Sequence, residues 1–271
     1  MGLQAMTSIR FTRRAALLVA ALALAGCAGM GGKPPTQQIH VMTSGGFTAA
    51  YNELTPQFER STGTQVHTAY GASMGAASDS IPSRLARGEP ADLVILARPA
   101  LDALVAQGRV VAGSQVDLVR SSIGFAVRAG APRPDISTVE ALKRALLAAP
   151  SIAYSASASG VYYETELLKK LGIEDQVKPK SKRILSERVG TVVARGEAAL
   201  GLQQVSELLP IEGIDFIGVL PPEVQRVTVF SAGISTTARA PEAAKQLIHH
   251  FTSPAALPVI TKSGLEPAAG R

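Results

Sequence analysis

Short apolar runs alternate with helical periodicity along most of the chain from Ile39 onward. Residues 39–42 predict a buried strand, and residues 47–61 predict a helix with Ala50, Leu54 and Phe58 on one face at four-residue spacing. The order then repeats: a strand at 66–70, a helix at 81–87, a strand at 91–96 and a helix at 101–107 closed by Gly108. A second set begins near Val116. It predicts strands at 122–127, 151–154, 199–202, 214–218 and 227–232. Its helices are predicted at 139–147, 160–171, 187–195, from Ser206, at 241–251 and at 254–262. Strands alternating with helices imply an α/β fold with mainly parallel sheets covered by helices on both faces. No sequence repeat at a fixed period accompanies the two sets.

The N-terminus departs from this pattern. Arg10, Arg13 and Arg14 precede an unbroken apolar run over residues 15–25, followed by Gly26 and Cys27. The run is too short to span a bilayer as a helix and ends in small residues, the layout of a cleavable export signal. Residues 1–26 are therefore expected to be a signal peptide. Leu24-Ala25-Gly26-Cys27 resembles the bacterial lipobox, which implies lipidation of Cys27 and a periplasmic lipoprotein anchored to the membrane through its N-terminal lipid. Cys27 is the only cysteine, so an internal disulfide is excluded. Residues 27–38, rich in Gly, Pro and Gln, are expected to be a flexible tether.

Removing that signal lowers Lys+Arg from 27 to 24 against 21 Asp+Glu, because Arg10, Arg13 and Arg14 go and no acid does; the net charge drops from +6 to +3. No basic cluster interleaved with aromatics is present, which argues against a nucleic-acid partner. Trp is absent and aromatics are few, so the core is expected to consist of small aliphatic layers.

Ligands of open α/β sheets sit beyond the carboxyl ends of the strands. Three turns at such ends share a composition: Thr43-Ser44-Gly45-Gly46, Gly71-Ala72-Ser73-Met74-Gly75, and Ser155-Ala156-Ser157-Ala158-Ser159-Gly160. Helix N-termini expose unpaired N–H groups, serine adds a hydroxyl and glycine lets an anion approach the backbone. The same residues are also ordinary caps and turn formers. Three on one predicted edge favour an oxyanion or carboxylate site. Neither a Walker A pattern nor a full GxGxxG is present, so nucleotide binding is not supported, and no cofactor is expected. Gly71 to Gly75 spells G-x-S-x-G but lacks the immediate helix of a hydrolase elbow and has no late histidine partner except His249 or His250, while these two, being adjacent, do not have metal-ligand spacing.

The segment Arg84-Leu85-Ala86-Arg87-Gly88-Glu89-Pro90-Ala91-Asp92-Leu93-Val94-Ile95, together with Val193-Ala194-Arg195-Gly196-Glu197-Ala198-Ala199-Leu200-Gly201, resembles the two signatures of the periplasmic molybdate-binding proteins of ABC transporters. The resemblance implies the type II periplasmic-binding fold: two lobes joined by two crossing strands and closing on ligand by a hinge. It places lobe 1 at 39–120, lobe 2 at 121–229 and a return to lobe 1 at 230–271. The family's two ligand serines fall nearest Gly46, with Ser44 two positions away, and Ser73. Its backbone donor segment matches Ala158-Ser159-Gly160-Val161-Tyr162, and its site tyrosine is replaced by Gln203-Gln204.

Arg188 is a further departure. Its planar fork suits a carboxylate better than a tetrahedral oxyanion, although a surface ion pair with Glu187 or Glu223 would serve equally. The sequence also resembles a branch of the same fold, exported bacterial proteins with aconitate isomerase activity. That chemistry needs a proton carrier, for which Tyr154, Tyr162, Tyr163, His67 and Glu207 are candidates, none singled out by the sequence. The reading that results is a solute-binding protein first and an isomerase second. Both place a small anion among Ser44, Gly45, Gly46, Ser73, Met74, Ser159, Gly160, Arg188 and Gln204, the first with an ABC permease as partner.

Overall fold

The computed structural model describes residues 37–268, besides Met1. The expected signal, lipidation site and tether lie outside these residues, save for Gln37 and Gln38. Among the described residues no helix is long and apolar enough to cross a membrane.

The chain first builds β1 (Gln38–Thr43), α1 (Gly45–Thr62), β2 (Gln65–Tyr70), α2 (Ile81–Ala86), β3 (Leu93–Ala97), α3 (Arg98–Ala106) and β4 (Val116–Ser121). It then forms β5 (Ile123–Arg128), α4 (Val139–Ala148), β6 (Ile152–Ser155), α5 (Ala158–Tyr162), α6 (Leu168–Lys170), α7 (Glu174–Val177), β7 (Ser181–Ile184), α8 (Val189–Ala194), β8 (Leu200–Gln204), α9 (Val205–Leu208) and β9 (Ile214–Val219). Finally come β10 (Thr228–Ile234), α10 (Pro241–Thr252), α11 (Leu257–Lys262) and β11 (Glu266–Pro267). One sheet has the order β11-β4-β10-β3-β1-β2 and the other β7-β6-β8-β5-β9.

Parallel pairing is confined to β2-β1-β3 and β7-β6-β8. The strands that arrive from the other lobe, β5 and β10, run antiparallel to their neighbours. The sheets are therefore mixed rather than mainly parallel, because a chain that crosses between lobes enters each new sheet from its opposite end. Helices still cover both faces. In the first sheet Phe47, Tyr51, Leu54 and Phe251 pack on one side while Ile81, Leu85, Leu101 and Leu104 pack on the other.

Local chemistry accounts for the elements. β3 is buried throughout, as befits an interior strand flanked by β1 and β10. Its predecessor Asp92 is also buried and accepts hydrogen bonds from the N–H groups of His40 (2.7 Å), Arg239 (2.6 Å) and Ala240 (2.9 Å). That acid in the first signature thus staples three chain segments. α1 stops at Gly63, whose φ of 72° favours glycine and whose N–H returns to the Glu59 carbonyl. Ser80 and Thr138 cap α2 and α4 by accepting from Ser83 N–H and Ala141 N–H. Between α5 and α6 the helix widens into a π turn over Tyr163–Leu167, so the helix expected at 160–171 is continuous but not regular. The helix expected at 187–195 is shorter, with Arg188 as its extended N-cap. The polar strand β7 carried no apolar period from which it could have been predicted.

The lobes are joined where β4 runs into β5 at Ser122 and where the segment after β9 leads into β10. Gln225 ties the two crossings together: its Oε1 accepts from Ile123 N–H and its Nε2 donates to the Ile123 carbonyl, both at 3.0 Å.

Candidate functional site

A cleft of about 410 Å³ lies between the lobes. On one side it is lined by Gly45, Thr48 and Asn52 of α1, by Tyr70, Gly71 and Ala72 at the end of β2, and by Asp79. The other side is Ser155, Ala156 and Ser157 after β6, residues 184–188 leading into α8, and Gln203 and Glu207 flanking the start of α9. Both walls are built from the carboxyl ends of strands and the helix starts that follow them, where unpaired N–H groups concentrate.

Of the residues expected to hold an anion, Gly45 and Arg188 line the cleft. The others do not line it. Ser44 is buried, and its Oγ has no hydrogen-bond partner. Gly46 is covered by the Phe230 ring, which a Cβ at that position would meet at 2.0 Å. Ser73 is buried, with its Oγ accepting from Ala97 N–H at 2.9 Å, while its own N–H reaches across to Ser157 Oγ at 3.3 Å. Met74 lines a separate, more apolar crevice beside Pro99 and Val161. Ser159 bonds Ser155 through their hydroxyls at 3.1 Å, and Gly160 lies so close beneath Ser155 that an added Cβ would come within 1.6 Å of its carbonyl oxygen. These two shape the turn; its cleft surface is made by Ser155 to Ser157 instead.

Gln204 belongs to the crossing between the lobes. In the amide orientation that satisfies both ends, its oxygen accepts from Thr228 Oγ1 and its nitrogen donates to Ser121 Oγ, each at 2.9 Å. Gln203, its neighbour, is the residue that reaches the cleft, because side chains alternate along β8. Only the strand register decides between two adjacent glutamines.

Among the candidate proton carriers, Glu207 alone lines the cleft. His67 stacks on His40 with ring centroids 5.1 Å apart. Tyr162 donates to the Val224 carbonyl at 2.6 Å and packs beneath Arg226, Tyr163 is buried against Ser181 Oγ at 2.7 Å, and Tyr154 packs against Tyr163.

Arg188 makes no ion pair among the described residues; Glu187 pairs with Arg195 instead. Burial pushes the Glu207 carboxyl up to about 7, against the opposing pull of Arg188 and of a 2.9 Å hydrogen bond from Gln203 Nε2. Burial likewise raises the Tyr70 phenol, again opposed by Arg188. Tyr70 in turn donates to Asn52 Oδ1 at 2.7 Å. The cleft thus combines an uncommitted guanidinium, amide and hydroxyl donors, and one carboxyl that exchanges its proton near neutrality. A guanidinium and neutral donors are groups suited to an anion, and a carboxyl of that kind is suited to moving a proton. Among the described residues no group of three or more His, Cys, Asp or Glu is arranged to hold a metal ion.

The two lobes and the cleft between them are the architecture of the solute-binding proteins. The chain belongs to the bacterial extracellular solute-binding protein family, which matches residues 39–266. It is 43% identical over 257 residues to an aconitate isomerase from a Pseudomonas species, covering 95% of this chain and 98% of that one. Its fold is shared with the periplasmic molybdate-binding protein of Azotobacter vinelandii, with a TM-score of 0.69 at 21% identity over 84% of this chain and 98% of the other. A sulfate-binding protein of Mycobacterium tuberculosis superposes with a TM-score of 0.66 at 21% identity, over 86% of this chain and 88% of that one.

Proposed function

We propose that this chain is an isomerase of the solute-binding fold that interconverts cis- and trans-aconitate without a cofactor. The observation that carries the reading is Glu207, a buried carboxyl pushed up to about 7 inside an anion cleft beside Arg188. An ionised carboxylate there repels a bound anion, whereas a general base works best when its affinity for protons matches the surrounding pH. Identity to the Pseudomonas relative over nearly the whole of both chains supports the same substrate.

The chemistry balances on one residue. Glu207 carboxylate takes a proton from the methylene carbon of aconitate, and the electron pair spreads over the allylic system. The protonated Glu207 returns the proton to the carbon that was vinylic, so the double bond moves by one carbon and its new geometry is set by how the cleft holds the three carboxylates. Arg188 and the helix starts on both walls hold those carboxylates and stabilise the charge that develops.

Uptake of a di- or tricarboxylate through an ABC permease is the second reading, supported by the family and the fold. Incubating the purified protein with each aconitate in D2O and following it by NMR separates the two. Conversion of one isomer into the other is expected, with deuterium entering the methylene position in those turnovers where protonated Glu207 exchanges with solvent before it returns its proton. Binding of unchanged aconitate would instead favour transport. Export as a periplasmic lipoprotein anchored through Cys27 is part of both readings. Labelling with radioactive palmitate should disappear in Cys27→Ser, and labelling that persists would refute the anchor.

A further inference from the structure

Gln203 and Val189 fix which oxygen of Glu207 can work. The Gln203 side-chain oxygen accepts from Val189 N–H at 2.9 Å, and its nitrogen donates to Glu207 Oε1 at 2.9 Å. All three residues are buried. Turning the amide over would leave the Val189 N–H unpaired and set an oxygen against a carboxyl oxygen, so the orientation is determined. A proton on Oε1 would collide with the Gln203 N–H. Oε1 is also the atom boxed in by α1, since a Cβ on Gly45 would meet it at 2.0 Å. Two independent contacts thus occupy the same oxygen.

We propose that Gln203 is a positioning residue: it holds Glu207 Oε1 as a permanent acceptor, so that Oε2 is the oxygen that takes the proton from substrate carbon and gives it back. The proposal rests on the isomerase reading of the cleft. It also gives a role to the other of two adjacent buried glutamines, the contacts at the lobe crossing being made by Gln204. The donor favours the carboxylate form of Glu207, the form that starts the reaction. The other charged or titratable groups on the same cleft are Arg188 and Glu187 before α8, Tyr70 at the end of β2 and Asp79 before α2. None of these contacts Oε1 within hydrogen-bond distance among the described residues.

Two substitutions test this in the full-length protein. Gln203→Met removes the donor. Val189→Pro removes the N–H that pins the amide, at the first helical position where proline is tolerated and after Arg188, whose ψ of 136° already suits a following proline; it also changes a buried side chain, so it is read only if the variant folds. Because kcat/KM depends on Glu207 carboxylate, it should rise with pH through about 7 in the parent protein. In Gln203→Met the midpoint should move up by about one pH unit, with kcat falling by about tenfold or more and KM little changed. Val189→Pro should move it in the same direction by less. An unmoved midpoint in either folded variant would overturn the proposal. The isomerase reading fails separately, if the parent protein neither converts aconitate nor exchanges its protons. The Glu207 carboxyl, followed by carbon-13 NMR titration and assigned with Glu207→Gln, then still decides the matter. A midpoint unchanged between parent and Gln203→Met rules out the positioning role.

Discussion

Gly45 and Glu207 touch across the cleft: a single carbon added to Gly45 would lie 2.0 Å from Glu207 Oε1. They are far apart in sequence and come together because α9 rests on the first turn of α1, where Ser206 Oγ also donates to the Gly46 carbonyl at 2.7 Å. Gly45 is not required for its backbone angles, since its φ lies outside the left-handed region. On helix propensity alone, Gly45→Ala should stabilise α1. The contact predicts the reverse: a loss of about 1–3 kcal/mol from overpacking and a fall in kcat of up to about 100-fold as Glu207 is displaced. A raised melting temperature with full activity would show that the contact is unimportant.

Arg188 is the cleft's uncommitted cation, and its removal is expected to act on binding. Arg188→Ala should weaken aconitate binding by about 2 kcal/mol or more, roughly thirtyfold. Arg188→Lys should restore little of it, because an ammonium cannot offer two parallel donors to one carboxylate. Calorimetry on the three proteins checks both expectations; affinity within twofold of the parent in Arg188→Ala would remove the case for a carboxylate ligand.

Glu207 also makes stability depend on pH. Its folded-state affinity for protons is raised from the ordinary 4.5 to about 7, so between those values the folded protein binds more protons than the unfolded chain and loses stability as pH rises. The cost is absent below about 4.5 and complete above 7, where it reaches about 3 kcal/mol. Glu207→Gln removes it. Denaturant unfolding should therefore show the variant gaining on the parent by about that amount between pH 4 and pH 8. A difference independent of pH would mean that Glu207 is not buried as described.

Ser73 provides a contrast. Its hydroxyl is occupied by the Ala97 N–H, so Ser73→Ala should cost about 1–3 kcal/mol of stability by orphaning that donor while leaving ligand affinity within about twofold. Selective loss of affinity in a variant with unchanged melting would return Ser73 to the list of ligand contacts.

The α/β class, most of the strand and helix order and the helix stops at glycine were legible in the sequence because they depend on local periodicity and on backbone chemistry within a few residues. Arg188 was legible as a departure from the molybdate-binding pattern, but a surface ion pair with Glu187 explained it equally well until the structure gave that acid to Arg195. Which serines and amides face the ligand was not. Ser73, Ser159 and Gln204 have the composition of ligand contacts, yet spend their polar groups on Ala97, Ser155 and the Thr228 and Ser121 hydroxyls at the lobe crossing. Glu207 was one of five candidate proton carriers until burial against α1 set it apart from four others that pack or stack elsewhere. Composition tells which groups can donate or carry a proton; only tertiary structure decides which partners they have already taken and how far water is excluded from the one that remains.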